Sequence, residues 1–284
     1  MNVLVLGASG MLGNAVFRFL GSSEGFTVVG TTRSVDALRF FPVELRTSIL
    51  TGYDVNDVDH LVDLFRVAEP HVVINCVGLV KQLDSSNNPL HAIPINALLP
   101  HRLVSLCSLS KSRLIHLSTD CVFSGNRGQY KESDLPDSKD IYGRSKLLGE
   151  VSSANSVTLR TSIIGHELNG ARSLINWFLS QDGSVRGYKR AIFSGLPTVE
   201  IARVIRDFVI PNTSLSGVYH VASSAISKFD LLQLVAGVYS KNVDIVPDEN
   251  VIIDRSLDSS RFKSATGYVA PTWPELVRKM YDFQ

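Results

Sequence analysis

Short apolar runs that stop at glycines alternate with segments of helical period along the first half of the chain. Val3-Leu4-Val5-Leu6 is continuously apolar and ends at Gly7, the pattern of a strand buried on both faces. Met11 to Leu20 reads as a helix, and Phe26–Val29 and Ser48–Leu50 as second and third strands. Asn56 or Asp57 is placed to cap a helix in which Leu61, Leu64, Phe65 and Ala68 recur at i, i+3, i+4 and i+7. Pro70 follows, then a fourth strand over His71–Cys76 and a helix marked by Leu99, Leu103 and Leu106. A fifth strand over Arg113–Ser118, a helix from Tyr142 to about Ala154 and a strand over Val157–Arg160 complete the series. Strands and helices in this alternation predict a parallel sheet covered on both faces.

After about residue 165 the rhythm loosens. Leu174–Leu179 and Val199–Phe208 read as helices and Val218–Val221 as a strand. Ser227-x-x-Asp230 and Thr272-x-x-Glu275 carry the capping-box pattern. The fold class expected is therefore α/β: a Rossmann-type doubly wound sheet over 1–165, with a smaller mixed α/β substrate-binding cap over 166–284. Chain crossovers between the two are expected.

Composition narrows the function classes. The chain has 284 residues, 44% hydrophobic and 19% charged, enough to bury a core without staples. Twenty-eight Lys and Arg against 27 Asp and Glu give +1, which provides no broad basic field for nucleic acid or anionic membrane. Cys76, Cys107 and Cys121 are odd in number and lack CxxC spacing, so neither a disulfide framework nor a metal site is expected. The opening residues lack a basic n-region, and no stretch approaches the roughly 18 uninterrupted apolar residues of a membrane span. A cytoplasmic protein that contacts neither membrane nor nucleic acid is the expectation.

Three constellations carry chemistry. Gly7-Ala8-Ser9-Gly10-Met11-Leu12-Gly13 lies between the first strand and first helix, where a glycine turn lets backbone N–H groups approach a pyrophosphate. At the end of the second strand, where an acid would bond a ribose 2′-hydroxyl, the chain reads Gly30-Thr31-Thr32-Arg33-Ser34. A guanidinium there suits a 2′-phosphate, and a solvated loop arginine is the plainer alternative. Asp54 and Val55 are candidates to line an adenine, with Asp54 equally suited to a turn.

The second constellation is Tyr142-Gly143-Arg144-Ser145-Lys146. Residues four apart share a helix face, and a fixed ammonium would pull a phenol's pKa down toward the working range. The third is Ser118-Thr119-Asp120-Cys121-Val122-Phe123 at the carboxyl end of the fifth strand, where ligands of such sheets bind. A hydroxyl there can bond a substrate oxygen or simply cap a turn. Asp120 has a turn role open to it as well as ordering Thr119 or meeting substrate.

Together these constellations resemble the extended short-chain dehydrogenase/reductase superfamily. Ser118-Thr119-Asp120-x-Val122-Phe123-x-Gly125, Tyr130-x-Glu132 and Tyr142-Gly143-x-Ser145-Lys146-Leu147-x-Gly149-Glu150 are similar, more narrowly, to the dTDP-4-dehydrorhamnose reductases and their sugar-nucleotide relatives. Weaker matches run in order to the far end: Leu159-Arg160-Thr161-Ser162, Gly195-x-Pro197-Thr198, Gly217-Val218-Tyr219-His220, Leu257-Asp258-Ser259-Ser260 and Pro271-x-Trp273. The resemblance implies NADPH as cofactor, with NADH possible, and a nucleotide-linked sugar as substrate; a homodimer is compatible with it.

By the same resemblance Thr119, Tyr142 and Lys146 are the catalytic residues. Cys76, Val77, Gly78, Ser118 and Thr161 border the cofactor. Asp120, Val122, Ser162, Ser194 and Pro197 shape the sugar cleft. Two departures stand out. Cys121 occupies a position usually held by tyrosine, and Val80–Ser86 replaces a more acidic stretch. Lys81, within that stretch, is read either as a substrate-phosphate or keto-oxygen ligand or as a solvated lysine.

Overall fold

The computed structural model describes residues 1–79 and 87–284, so Lys81 lies outside the described residues. Strand β1 (Asn2–Leu6) leads into α1 (Met11–Gly21), and β2 (Thr27–Thr32) and β3 (Ile49–Thr51) follow. Next come α2 (Val58–Ala68), capped by the Asp57 carboxylate on the N–H groups of Asp59 and His60, and β4 (Val72–Asn75). A helix then begins as α3 (Pro89–Ala92), widens into a π-helical segment over Ile93–Leu98 and continues as α4 (Leu99–Ser110). Strand β5 (Arg113–Thr119), α5 (Ile141–Leu148) and β6 (Ser156–Thr161) end the alternating series.

The second half contains β7 (Ile163–Ile164), α6 (Leu174–Leu179), β8 (Ser184–Tyr188), β9 (Ala191–Phe193), β10 (Leu196–Pro197) and α7 (Thr198–Val204). Strand β11 (Gly217–His220), β12 (Ile226–Ser227), α8 (Lys228–Val238), β13 (Asp244–Asp248), β14 (Ile253–Asp254), α9 (Ser260–Thr266) and α10 (Trp273–Asp282) complete the chain.

Among the described residues the main sheet has seven parallel strands in the order β11-β6-β5-β4-β1-β2-β3. Strand order reverses between β1 and β4, and the crevice outside such a switch point is where doubly wound sheets take their ligands. Alternate residues of each strand serve opposite faces. Val3, Val5, Ile74, Ile115 and Leu117 enter the core shared with α1 and α7. Leu4, Leu6, Val73 and Leu114 enter the core beneath α2 and α4. A strand buried on both faces has no polar side to show, which is why these segments read as unbroken apolar runs.

One helix boundary differs from the sequence reading, an expected crossover is present, and one helix is longer than read. The helix that starts near Tyr142 stops at Leu148, and its C-cap Gly149 lies where a Cβ would overlap the carbonyl oxygen of Asn96. Strand β11 belongs to the main sheet beside β6, although it lies beyond residue 165. The 22-residue helix Pro89–Ser110 is long and apolar enough to cross a membrane by length and composition, although its apolar residues are interrupted by polar ones. Its Leu99, Leu103 and Cys107 lie in the core beneath the sheet.

Candidate functional site

The glycine turn is built by close backbone approaches. Gly7 adopts φ +81°, a region that favours glycine, and a Cβ on Gly13 would overlap the Gly7 carbonyl oxygen. The Gly10 N–H donates to Gly7 O at 3.0 Å, and Thr31 holds the turn from β2 through its hydroxyl and carbonyl. Gly10 precedes α1 without a side-chain cap, and the first turn of that helix carries no acid. Ser9 and Gly10 are exposed there, so the N-terminus of α1 faces the switch point open to an anion. The Leu12 side chain is core, leaving its backbone for any ligand. Met11 instead lines a cavity of about 290 Å³ with Asn14, Arg18, Thr198 and Phe283.

Arg33 follows β2 directly and is exposed. Asp54 is a turn residue: its Oδ1 accepts from the backbone and side-chain amide of Asn56, at 2.9 and 3.1 Å. Val55 belongs to the core beneath the sheet, so only its main chain is left to border an adenine.

At the other side of the switch point, the loop after β4 is tied to α5. The buried Asn96 side chain accepts from Leu79 N–H at 3.0 Å and donates to Ser145 Oγ at 3.1 Å. Val77 N–H donates to Asn75 Oδ1. A Cβ on Gly78 would stand 3.8 Å from Lys146 Nζ, which places that glycine beside the ammonium. Burial pushes the Cys76 thiol up to about 12, against the pull of Lys146, so it stays a neutral wall of the site.

Helix α5 delivers Tyr142 and Lys146. Asp140 caps it by accepting from Gly143 N–H at 2.7 Å. Gly143 lacks the Cβ that would strike the Cys121 carbonyl, and this lets α5 lie against the turn at the end of β5. The two catalytic candidates from β5 and α5 therefore meet: Thr119 is close enough to the Tyr142 phenol to pull its pKa down against burial. Thr119 Oγ1 donates to Asp120 Oδ1 at 3.1 Å and accepts from Cys121 N–H at 3.1 Å. Asp120 is buried, which raises its carboxyl pKa against the Arg255 charge and hydrogen bonds that include Ser162.

The expected effect of Lys146 on Tyr142 is corrected. Burial, followed by Cys121 and then Asp120 and Asp140, raises the phenol above its ordinary value, with Thr119 opposing. Lys146 donates to the Leu117 carbonyl at 2.6 Å instead, and burial lowers it to about 8 against the pull of Glu150 and Cys76. Tyr142 is thus held as a neutral phenol with a proton to give.

Several other expected ligands have structural duties. Ser118 donates its hydroxyl to Glu150 Oε1 at 2.7 Å rather than facing a cofactor. The Val122 side chain is fully buried in a cluster with Phe123, Tyr130, Ala222 and Leu257, out of reach of a sugar. Ser194 is buried and accepts from Leu257 N–H at 3.0 Å, and Pro197 is buried at the start of α7. Thr161, also buried, bonds the Ser162 carbonyl from the end of β6.

Sequence reasoning missed four residues around the site. Asn96 and Glu150 are positioned by pairing across elements. Lys228 and Arg186 line a cavity of about 330 Å³ with Leu174, Trp177, Tyr188 and Leu232. Burial lowers the Lys228 pKa, and the charges it feels include Asp120 and Cys121, which places this cavity's wall near the end of β5. Its only sequence signal was membership of the Ser227-x-x-Asp230 cap.

The chain matches the model of the RmlD substrate binding domain over residues 1–282. It belongs to this family. A probable low-salt glycan biosynthesis reductase, Agl14, of Haloferax volcanii is 27% identical over 92% of this chain and 87% of that protein. The methionine adenosyltransferase 2 subunit beta of Bos taurus is 30% identical over 52% of this chain and 41% of its own length. The dTDP-4-dehydrorhamnose reductase of Bacillus anthracis, solved in complex with NADP, superposes with TM-score 0.79 at 20% identity, covering 99% of this chain and 98% of that one. At this identity the likeness shows the shared fold, whose ligand crevice lies outside the switch point between β1 and β4.

Behind that crevice His220 gives the family fold a pH-sensitive joint. Its Nδ1 lies 3.0 Å from Tyr130 O and its Nε2 3.2 Å from Arg160 Nη1. Burial and then the Arg160 charge lower it to about 4. The unfolded chain, titrating near 6.5, binds the proton first, so stability falls as pH drops from about 6.5 through 4. The expected loss is about 3 kcal/mol across that window. Urea unfolding at pH 7 and pH 4 should show it, and a His220→Gln chain should lose that much less; an identical pH slope in the two chains refutes it.

Proposed function

We propose that this chain reduces the 4-keto group of a nucleotide-linked 6-deoxy sugar with NADPH, in the synthesis of a cell-surface polysaccharide. The observation that carries this reading is the Tyr142–Thr119 pair beside a buried Lys146, facing an uncapped glycine turn. The family match and the reductase named among the relatives support it.

The residues fit a nicotinamide dinucleotide. The turn over Gly7, Gly10 and Gly13, tight because Gly13 meets Gly7 O without a Cβ, would hold the pyrophosphate at the uncapped N-terminus of α1, and Arg33 would meet a 2′-phosphate. Lys146, with Gly78 leaving room beside it, would hold the nicotinamide ribose. When bound, a reduced nicotinamide supplies the hydride. Tyr142 transfers its phenolic proton to the substrate oxygen as that oxygen gains charge. Thr119, which here gives its proton to Asp120 Oδ1 and accepts from Cys121 N–H, would turn that hydroxyl away from Asp120 to hydrogen-bond the same oxygen. Lys228 and Arg186 offer positive charge to a diphosphate, and Trp177 and Tyr188 offer apolar faces to a base.

The test is a panel of dTDP-, UDP- and GDP-linked 4-keto sugars, assayed with NADPH and the products identified. Turnover of one member fixes the nucleotide; NADPH binding with no turnover of any member removes the reading. The likeness to a protein named as an enzyme's subunit favours a second reading, a cofactor-binding regulatory subunit, and that same outcome supports it.

Cofactor preference is expected to rest on Arg33. Arg33→Ala should weaken NADPH by about 1.5 kcal/mol or somewhat more, for one charge-assisted hydrogen bond at an exposed site, and leave NADH nearly unchanged. Fluorescence titration of both cofactors checks this. Equal curves for NADPH and NADH in the unmutated chain would contradict it.

A further inference from the structure

Three consecutive residues of β5 hold three side chains of α5 and the residues just after it. Thr119 stands beside Tyr142, Leu117 O accepts from Lys146 at 2.6 Å, and Ser118 donates to Glu150 at 2.7 Å. Glu150 is the outermost of these and the most heavily committed. Its carboxylate also takes Arg160 in a two-point pair, Nε to Oε1 at 2.7 Å and Nη2 to Oε2 at 2.6 Å. Both side chains are 5–6% exposed. Arg160 passes the link to His220 on β11, whose N–H donates to Glu132 at 2.8 Å. One carboxylate therefore ties the carboxyl ends of β5, β6 and β11 to the end of the helix that carries Tyr142 and Lys146.

We propose that Glu150 is a positioning residue for the catalytic helix: clamped by Ser118 and Arg160, it fixes the register of α5 on β5 and supplies the negative charge that keeps Lys146 an ammonium. The inference rests on the proposed function for the meaning of Lys146, but not for its own test.

The surroundings of Lys146 leave Glu150 as the charge with this role. From β4 it faces the Cys76 thiol, held neutral by burial. From β5 it faces the Leu117 carbonyl and His116, which burial and the Lys146 charge keep well below its ordinary value and therefore neutral. From the loop after β4 it meets Gly78, and the Asn96 side chain borders the same space, 3.5 Å from where a Cβ on Gly78 would stand. On its own side lies Glu150, which itself faces Ser118 and Arg160, with His220 behind. Burial disfavours the charged amine, and Glu150 is the leading opposing influence.

The test reads Lys146 directly. Competitive acetylation with acetic anhydride modifies only the neutral amine, so the yield of acetylated Lys146 peptide across pH, measured by mass spectrometry, traces its titration. In the parent the midpoint should fall at about 8. Glu150→Gln keeps the shape and an oxygen for Ser118 but removes the charge. Its midpoint should move lower, with several-fold faster labelling at neutral pH. An unchanged midpoint overturns the inference.

Glu150→Gln leaves Arg160 buried without its counterion and can fail to fold. Glu150→Gln/Arg160→Gln removes both charges, and its midpoint should move lower too. Ser118→Ala breaks a clamp bond and keeps the charge, so its midpoint should stay; a shift as large as that of Glu150→Gln would overturn the assignment to charge. No cofactor enters the measurement, so a parent chain that failed to bind NADPH would remove the proposed function and leave this result standing.

Discussion

Tyr142→Phe is expected to lower turnover by about 10²–10⁴-fold while NADPH affinity changes little. The ring and its packing against the β5 turn remain, and what is lost is the phenolic proton beside Thr119. Because burial holds Tyr142 neutral, the proton is present across the neutral range, and the loss should be as large at pH 6 as at pH 8. Lys146→Met should differ in kind, losing turnover and cofactor affinity together. Its effect on affinity should shrink above pH 8, where the parent lysine is itself neutral. Thr119→Ala should fall between, leaving the substrate oxygen one donor short. Cofactor fluorescence titration and single-turnover absorbance at the reduced-nicotinamide band separate binding from chemistry. Parent-rate turnover in the Tyr142→Phe chain would make Tyr142 a helix residue without a chemical role.

Arg160→Met is expected to cost about 3–5 kcal/mol of stability. It leaves the Glu150 carboxylate nearly buried, with the Ser118 hydroxyl as the one remaining partner among the bonds described. The guanidinium also lies 5.3 Å from the centre of the Phe123 ring and bridges to His220, so its removal loosens the joint between β6 and β11. The pair Glu150→Gln/Arg160→Met removes both charges and should recover most of the loss, since the penalty is that of an uncompensated ion rather than of an absent contact. Urea unfolding of the parent, the single and the double chain at pH 7 measures both statements. A loss below about 1 kcal/mol in the single chain would mean that water reaches Glu150 and solvates it.

What the chain alone determined is whatever a residue demands of its immediate neighbours. Val3–Leu6 reads as a doubly buried strand because period and composition are local. Gly7, Gly10 and Gly13 mark the tight turn because no side chain fits where Gly13 meets Gly7 O. Gly143 and Gly149 were likewise visible as motif letters, but their reason, the approach of α5 to Cys121 and Asn96, is an approach between elements. The same holds for two of the expected ligands. Ser118 and Val122 sit in the right motif, yet alternation along β5 and the turn after it sends one to Glu150 and the other into the core. Asn96, Glu150 and Lys228 had no periodic signal, since their partners lie on other strands and helices. Arg160 meets His220 because β11 joins the sheet beside β6, a pairing that no local pattern encodes. The charge state of the site was decided there too. Spacing put Tyr142 and Lys146 on one helix, but burial and the packing of β4, β5 and α5 set which groups each one feels, and desolvation outweighed the ammonium that adjacency in sequence had suggested.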